Sequence, residues 1–207
     1  MTGIYIHIPF CKSKCPYCDF YSFKADEQTK DSYLTAVLSC LDGYSEKISD
    51  SVDTVYFGGG TPSCFGGERI KRVIEHIKKI YNVTNTAEIT VECNPSSVDE
   101  ELVRHLSDVG VNRISMGMQS AVDRERLALG RLSDKNKIET SVELFKRYGI
   151  ENISLDLMLG IPHQTKESLK ESIGFISSLG IKHVSAYMLK VEEGTVFHKI
   201  EKSLSLP

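Results

Sequence analysis

Three cysteines, Cys11, Cys15 and Cys18, fall within the stretch Ile8-Pro9-Phe10-Cys11-Lys12-Ser13-Lys14-Cys15-Pro16-Tyr17-Cys18-Asp19-Phe20, separated by three and then two residues. They follow directly on the apolar, β-branched run Ile4-Tyr5-Ile6-His7-Ile8. Pairing them as disulfides leaves one over, and nothing else in the chain resembles a small disulfide scaffold. Three thiolates on one loop suit an iron-sulfur cluster or zinc, both of which take soft sulfur ligands. Structural zinc usually takes four protein ligands. The loop has no fourth cysteine, position 20 being Phe20, although His7 on the preceding strand could complete a zinc site. A four-iron cluster held by three cysteines keeps one iron open to an outside ligand, as reactive chemistry requires. The polar residues between the cysteines argue against a buried apolar run.

Other candidates are spread along the chain. Gly58-Gly59-Gly60-Thr61-Pro62 lets the backbone turn sharply and approach a ligand without Cβ obstruction. In Glu92-Cys93-Asn94-Pro95 the carboxylate could accept hydrogen bonds from paired ribose hydroxyls or cap the following loop. Arg131 is a fixed cation suited to carboxylate recognition, or else a solvated helix residue. Asp156, set among leucines, is costly to bury unless it pairs with Arg131 or meets a ligand. Tyr187 and Lys190, just before Glu192-Glu193-Gly194-Thr195, border the same region. Cys40, Cys64 and Cys93 stand singly and read as small buried structural residues. His163, His183 and His198 read as surface or packing residues, and His7 as a support for the cysteine loop.

Alternating short apolar strands and helical patterns must position these groups, and they point to parallel β/α units. Strands are expected near residues 3–8, 53–57, 87–92, 113–118, 152–158 and 183–189. Between them, Leu102, Val103, Leu106 and Val109 recur at helical spacing after Asp99, Glu100 and Glu101, which favour a helix start. Gly110-Val111-Asn112-Arg113-Ile114-Ser115, Gly149-Ile150-Glu151-Asn152-Ile153-Ser154 and Gly180-Ile181-Lys182-His183-Val184-Ser185 repeat one pattern, in which a glycine ends a helix and a strand begins. Strand alternation puts Ser115, Gly117 and Gln119 on one face, with Ser154, Asp156 and Met158, Ser185 and Tyr187, Glu88, Thr90 and Glu92, Thr54 and Tyr56, and Tyr5 and His7 on the equivalent faces of the others. An ordinary eight-unit barrel fills its interior with branched apolar residues. This one is expected to have a polar lumen that holds ligand and water, with its motifs at the carboxy ends of the strands.

The chain has 207 residues, 41% hydrophobic and 26% charged, enough for one sizeable core. Its net charge of -3 gives no reason to expect a nucleic acid or an acidic membrane as partner. No basic n-region or long apolar span marks a signal peptide or membrane helix, and free cysteines fit a reducing cytoplasm.

The Cys-x3-Cys-x2-Cys pattern, with Tyr17 before the last cysteine and His7-Ile8-Pro9-Phe10 in front, resembles the radical S-adenosylmethionine superfamily. The flanks resemble its oxygen-independent coproporphyrinogen III oxidase family, and most closely the HemW-like heme-chaperone branch. That resemblance implies an α/β fold, a partial (β/α)6 barrel with a parallel sheet and outer helices, forming one core domain over 1–207 without the family's carboxy-terminal region. It implies a [4Fe-4S] cluster on Cys11, Cys15 and Cys18. S-adenosylmethionine would be held by Tyr5, Tyr17, Gly59, Gly60, Thr61, Glu92, Gln119, Arg131 and Asp156, and heme would be a further ligand of the full-length protein. The chemistry implied is one-electron cleavage of the sulfonium and hydrogen abstraction from a substrate in the lumen. Partners would be a porphyrinogen or heme, and an electron donor such as flavodoxin or ferredoxin. Oxidases of the family usually carry a further cysteine where this chain has Phe20, which favours the chaperone branch over coproporphyrinogen decarboxylation.

Overall fold

The computed structural model describes residues 2–131 and 133–207. Six strands, β1 (Thr2–Ile8), β2 (Val52–Gly59), β3 (Val83–Cys93), β4 (Arg113–Gln119), β5 (Asn152–Leu159) and β6 (His183–Met188), form one sheet in sequence order. Every neighbouring pair is parallel. Helices α1 (Glu27–Ser45), α2 (Gly67–Ile80), α3 (Glu100–Asp108), α4 (Asp123–Ala128), α5 (Lys135–Arg147) and α6 (Lys166–Ser178) connect them, and a single turn, α7 (Val196–Lys199), follows β6. β1 and β6 are the two edges of the sheet, so the barrel is open on one side, as expected.

The helix-facing sides of the strands are apolar. Phe57, Val91, Ile114, Met116 and Leu155 are fully buried against Ile70, Val73, Val103, Leu106 and Phe145 of the helices. Their burial is the main force closing helices onto sheet. The glycine junctions behave as anticipated. Gly110, Gly149 and Gly180 take φ of +78°, +82° and +65° after α3, α5 and α6. The N–H groups of Val111 and Ile150 reach back to the carbonyls of Leu106 and Phe145, both at 3.0 Å, and so satisfy helix-end acceptors.

Asp99 caps α3, its Oδ1 accepting from Leu102 N at 2.8 Å. Asp99→Ala is expected to cost about 1 kcal/mol, read as a lowered urea midpoint at unchanged slope.

Three sequence readings need correction. β3 begins at Val83, four residues before its expected start, where Val83 pairs with Val52 of β2. β2 runs two residues beyond the expected end because Gly58 and Gly59 stay paired with His7 and Ile8, and this pairing outweighs the poor strand preference of glycine. Of the three single cysteines only Cys93 is buried. Cys40 lies on the exposed side of α1, whose buried residues are Leu34 and Leu41, and Cys64 is half-buried. Among the described residues no helix is long and apolar enough to cross a membrane.

Candidate functional site

A cavity of about 790 Å³ opens at the carboxy ends of the strands, within the usual size range of ligand pockets. Its lining combines the cysteine loop, the Gly59-Gly60-Thr61 turn and the polar faces of β2 to β6.

The cysteine loop is fastened at its base. Phe10, almost fully buried, packs edge-on against Phe23 and Tyr33, with centroids 5.6 Å and 5.2 Å away. Cys11 N donates to Phe23 O at 3.0 Å and Phe23 N to Pro9 O at 2.9 Å, which closes the loop between residues 10 and 23. Gly60 N and Thr61 N donate to Ile8 O and Phe10 O, both at 2.8 Å, so the glycine turn lies flat on the loop. A Cβ on Gly60 would stand 2.9 Å from Phe10 O and 3.1 Å from Cys11 Sγ. Only glycine fits that approach. Thr61 Oγ1 is 3.4 Å from Cys11 Sγ.

Cys11, Cys15 and Cys18 are half-buried, and all three line the cavity. Burial pushes the Cys18 thiol up, against the pull of the nearby Lys14. Among the described residues no three His, Cys, Asp or Glu groups gather closely enough for a single ion. His7 does not line the cavity. Its Nδ1 is 3.2 Å from Tyr5 Oη and its Nε2 3.2 Å from Tyr21 O, which suits the supporting role better than that of a zinc ligand. A four-iron cluster takes one thiolate per iron and does not need its cysteines to meet at a point. The donor chemistry and the close-fitting glycine turn therefore suit the cluster.

On the strands, Tyr56 Oη donates to Glu92 Oε1 at 2.7 Å, and Ser115 Oγ to Asp156 Oδ1 at 3.4 Å. Burial pushes the Glu92 carboxyl up, against the pull of the Tyr56 hydroxyl. Burial likewise raises Asp156, against the pull of Arg131. Arg131 Nη2 donates to Tyr17 Oη at 2.8 Å, while its Nε is buried without a partner, a donor free for a ligand. Tyr187 Oη donates to Gln119 Oε1 at 2.7 Å, and burial pushes this phenol up to about 12.

Gln119 owes its position to a bulge. The register with β5 shifts between Gly117 and Gln119, and Gln119 takes φ 71°, turning its amide over Gly117. A Cβ on Gly117 would lie 3.1 Å from Gln119 Nε2 and 3.4 Å from the Arg131 guanidinium.

Of the expected site residues, Tyr17, Gly59, Gly60, Thr61, Glu92, Gln119, Arg131 and Asp156 line the cavity with the three cysteines. Tyr5 does not. It is 57% exposed on the edge strand, with its ring 6.1 Å from that of Tyr56. Cys64, Cys93 and Asn94 line the cavity without having been assigned to it, and their position just after the glycine turn or at the end of β3 was the available signal.

Residues 5–176 match the family model described as the radical SAM superfamily. The chain is 37% identical over 202 residues to the heme chaperone HemW of Bacillus subtilis (strain 168), a match that covers 97% of this chain and 53% of that protein. The HemW of Haemophilus influenzae is also 37% identical over 202 residues, covering 94% and 52%. The chain thus spans about half the length of the curated relatives it matches. The structure of the coproporphyrinogen III oxidase HemN from Escherichia coli, a radical SAM enzyme, superposes with a TM-score of 0.89 at 24% identity, covering 99% of this chain and 48% of that one. That likeness establishes the fold. With the family match over most of its length and three thiols on one loop at the mouth of a polar half-barrel, the chain belongs to the radical SAM superfamily.

Proposed function

We propose that this chain is the cluster- and S-adenosylmethionine-binding core of a cytoplasmic HemW-like heme chaperone. The observation that carries the reading is the meeting of the three-thiol loop, the glycine turn and a carboxylate-lined lumen in one cavity. The 37% identity to proteins named heme chaperones supports the branch. Phe20, standing where the oxidases carry a cysteine, points the same way.

Cys11, Cys15 and Cys18 would hold three irons of a [4Fe-4S] cluster. Gly59, Gly60 and Thr61 offer backbone at the loop's edge for the amino acid end of the cofactor. Glu92, fixed by Tyr56, can accept from ribose hydroxyls, and the buried Nε of Arg131 can donate to a carboxylate. Asp156 and Gln119, which line the same cavity, would hold the cofactor from the polar wall beside them. When bound, the cluster would supply one electron, drawn from a flavodoxin- or ferredoxin-like donor, to cleave the sulfonium and start hydrogen abstraction. The protein's share is orientation and the exclusion of bulk water.

Anaerobic reconstitution is expected to give about four irons per chain and an electron paramagnetic resonance spectrum that S-adenosylmethionine changes. A spectrum indifferent to the cofactor would overturn the reading. The likeness of fold to HemN keeps the oxidase as a second reading. Heme uptake without release of 5′-deoxyadenosine in the presence of coproporphyrinogen is the outcome expected of the chaperone, and turnover is that expected of the oxidase.

A further inference from the structure

The Glu192-Glu193-Gly194-Thr195 turn contributes no binding group named above, yet it is carefully built. Gly194 takes φ +87°. Thr195 Oγ1 donates to Glu192 O at 2.6 Å and accepts from His198 N at 3.2 Å, which caps the single turn α7. The turn drives Phe197 inward to 2% exposure, into a small apolar cluster with Leu129, Met158 and Ile161. This cluster is separate from the main core, and Tyr17 of the cysteine loop packs on it.

The contact is specific on both sides of that loop. Phe197 N donates to Pro16 O at 3.0 Å, and the Phe197 ring lies 6.1 Å from that of Tyr17, tilted by 55°. Opposite, Gly130 at φ +68° stands where a Cβ would press to 2.8 Å from Pro16 Cδ, and Arg131 bonds the Tyr17 hydroxyl. Pro16 and Tyr17, the two residues between the second and third cysteines, are thus held between α7 and the Leu129-Gly130-Arg131 turn. A polar surface loop with few apolar contacts of its own opens readily, and a buried aromatic anchor opposes that opening.

We propose that Phe197 is a positioning residue, seating Pro16-Tyr17 so that the Cys15 and Cys18 thiols face the cavity and the Arg131 guanidinium stays aligned with them. The purpose of this anchoring rests on the cluster reading above, whereas the anchoring itself belongs to the metal-free chain.

Two measurements separate these levels. Trypsin reaches the loop at the exposed Lys12 and Lys14. In metal-free protein, Phe197→Ala is expected to speed cleavage there about tenfold, with cleavage at Lys78 and Lys79 in α2 unchanged. Phe197→Leu should restore most of the protection. After anaerobic reconstitution, Phe197→Ala should hold less than about half the iron of the wild type. The protein that does load should need about tenfold more S-adenosylmethionine for the same spectral change, since Arg131 loses its alignment. Thr195→Ala, which removes only the cap of α7, should move both readouts the same way by a smaller amount, and it stands in if Phe197→Ala is insoluble. Loop cleavage at the wild-type rate, or equal acceleration at every site, would overturn the proposal. Wild-type protein that takes up no iron while Phe197→Ala still exposes the loop would sink the cluster reading alone.

Discussion

Cys18→Ala is expected to fold and to hold iron only at the background of a metal-free control. The thiol is half-buried, so its loss removes little packing, whereas the proposed cluster would lose one of its three protein ligands. Two other cavity cysteines are not expected to replace it. Neither lies on the loop that carries the other two ligands, Cys64 standing on the turn after Gly59-Gly60-Thr61 and Cys93 at the end of β3. Cys64→Ala should accordingly load like the wild type. Iron and sulfide analysis after anaerobic reconstitution checks both variants. Full loading of Cys18→Ala would mean that iron sits elsewhere, and loss in Cys64→Ala would make Cys64 a ligand.

The alternation of apolar and polar residues along the strands made the lumen legible. Ser115, Gly117, Gln119, Asp156, Ser185 and Tyr187 all reach the cavity from positions two apart, because a parallel sheet covered on one side by helices leaves the other side for polar groups. Tyr5 shows the limit of that rule. Alternation assigns its face correctly, but β1 is an edge strand, and nothing beyond it closes the wall. The bulge at Gln119 was not legible, since a positive φ on a glutamine has no compositional mark. Nor was the pairing of Phe197 with Tyr17, because sequence periodicity reports which side of an element is apolar and not which distant element covers it. Cys64 was misread for a related reason: a lone cysteine gives no sign of whether its turn faces a core or a cavity.

Asp156→Asn is expected to raise stability at pH 8 while weakening S-adenosylmethionine binding roughly tenfold to hundredfold. Burial holds this carboxyl above its ordinary value in the folded chain, so across that interval the folded state keeps a proton that the unfolded state has released. Stability therefore falls as pH climbs from the ordinary carboxylate value, about 3.9, through the raised folded one, and levels off above it. Glu92 contributes a fall of the same sign. Asparagine removes the Asp156 share, so the gap between variant and wild type should open in the variant's favour between pH 4 and pH 8, both taken as approximate bounds. Comparing the two chains at each pH cancels carboxylates such as Glu27, whose bonds to Lys30 and Arg69 hold it low and which act in the opposite sense. Urea melts across the range give the stability difference, and a spectral titration of the reconstituted protein gives the affinity. A variant less stable than the wild type at pH 8 would mean that Arg131, Ser115 and Ser185 more than offset the cost of burying the charge. Asp156 would then serve the fold ahead of the cofactor. Gain in stability together with loss in affinity would mark a carboxylate kept in the lumen at the expense of the fold, for the sake of what the lumen holds.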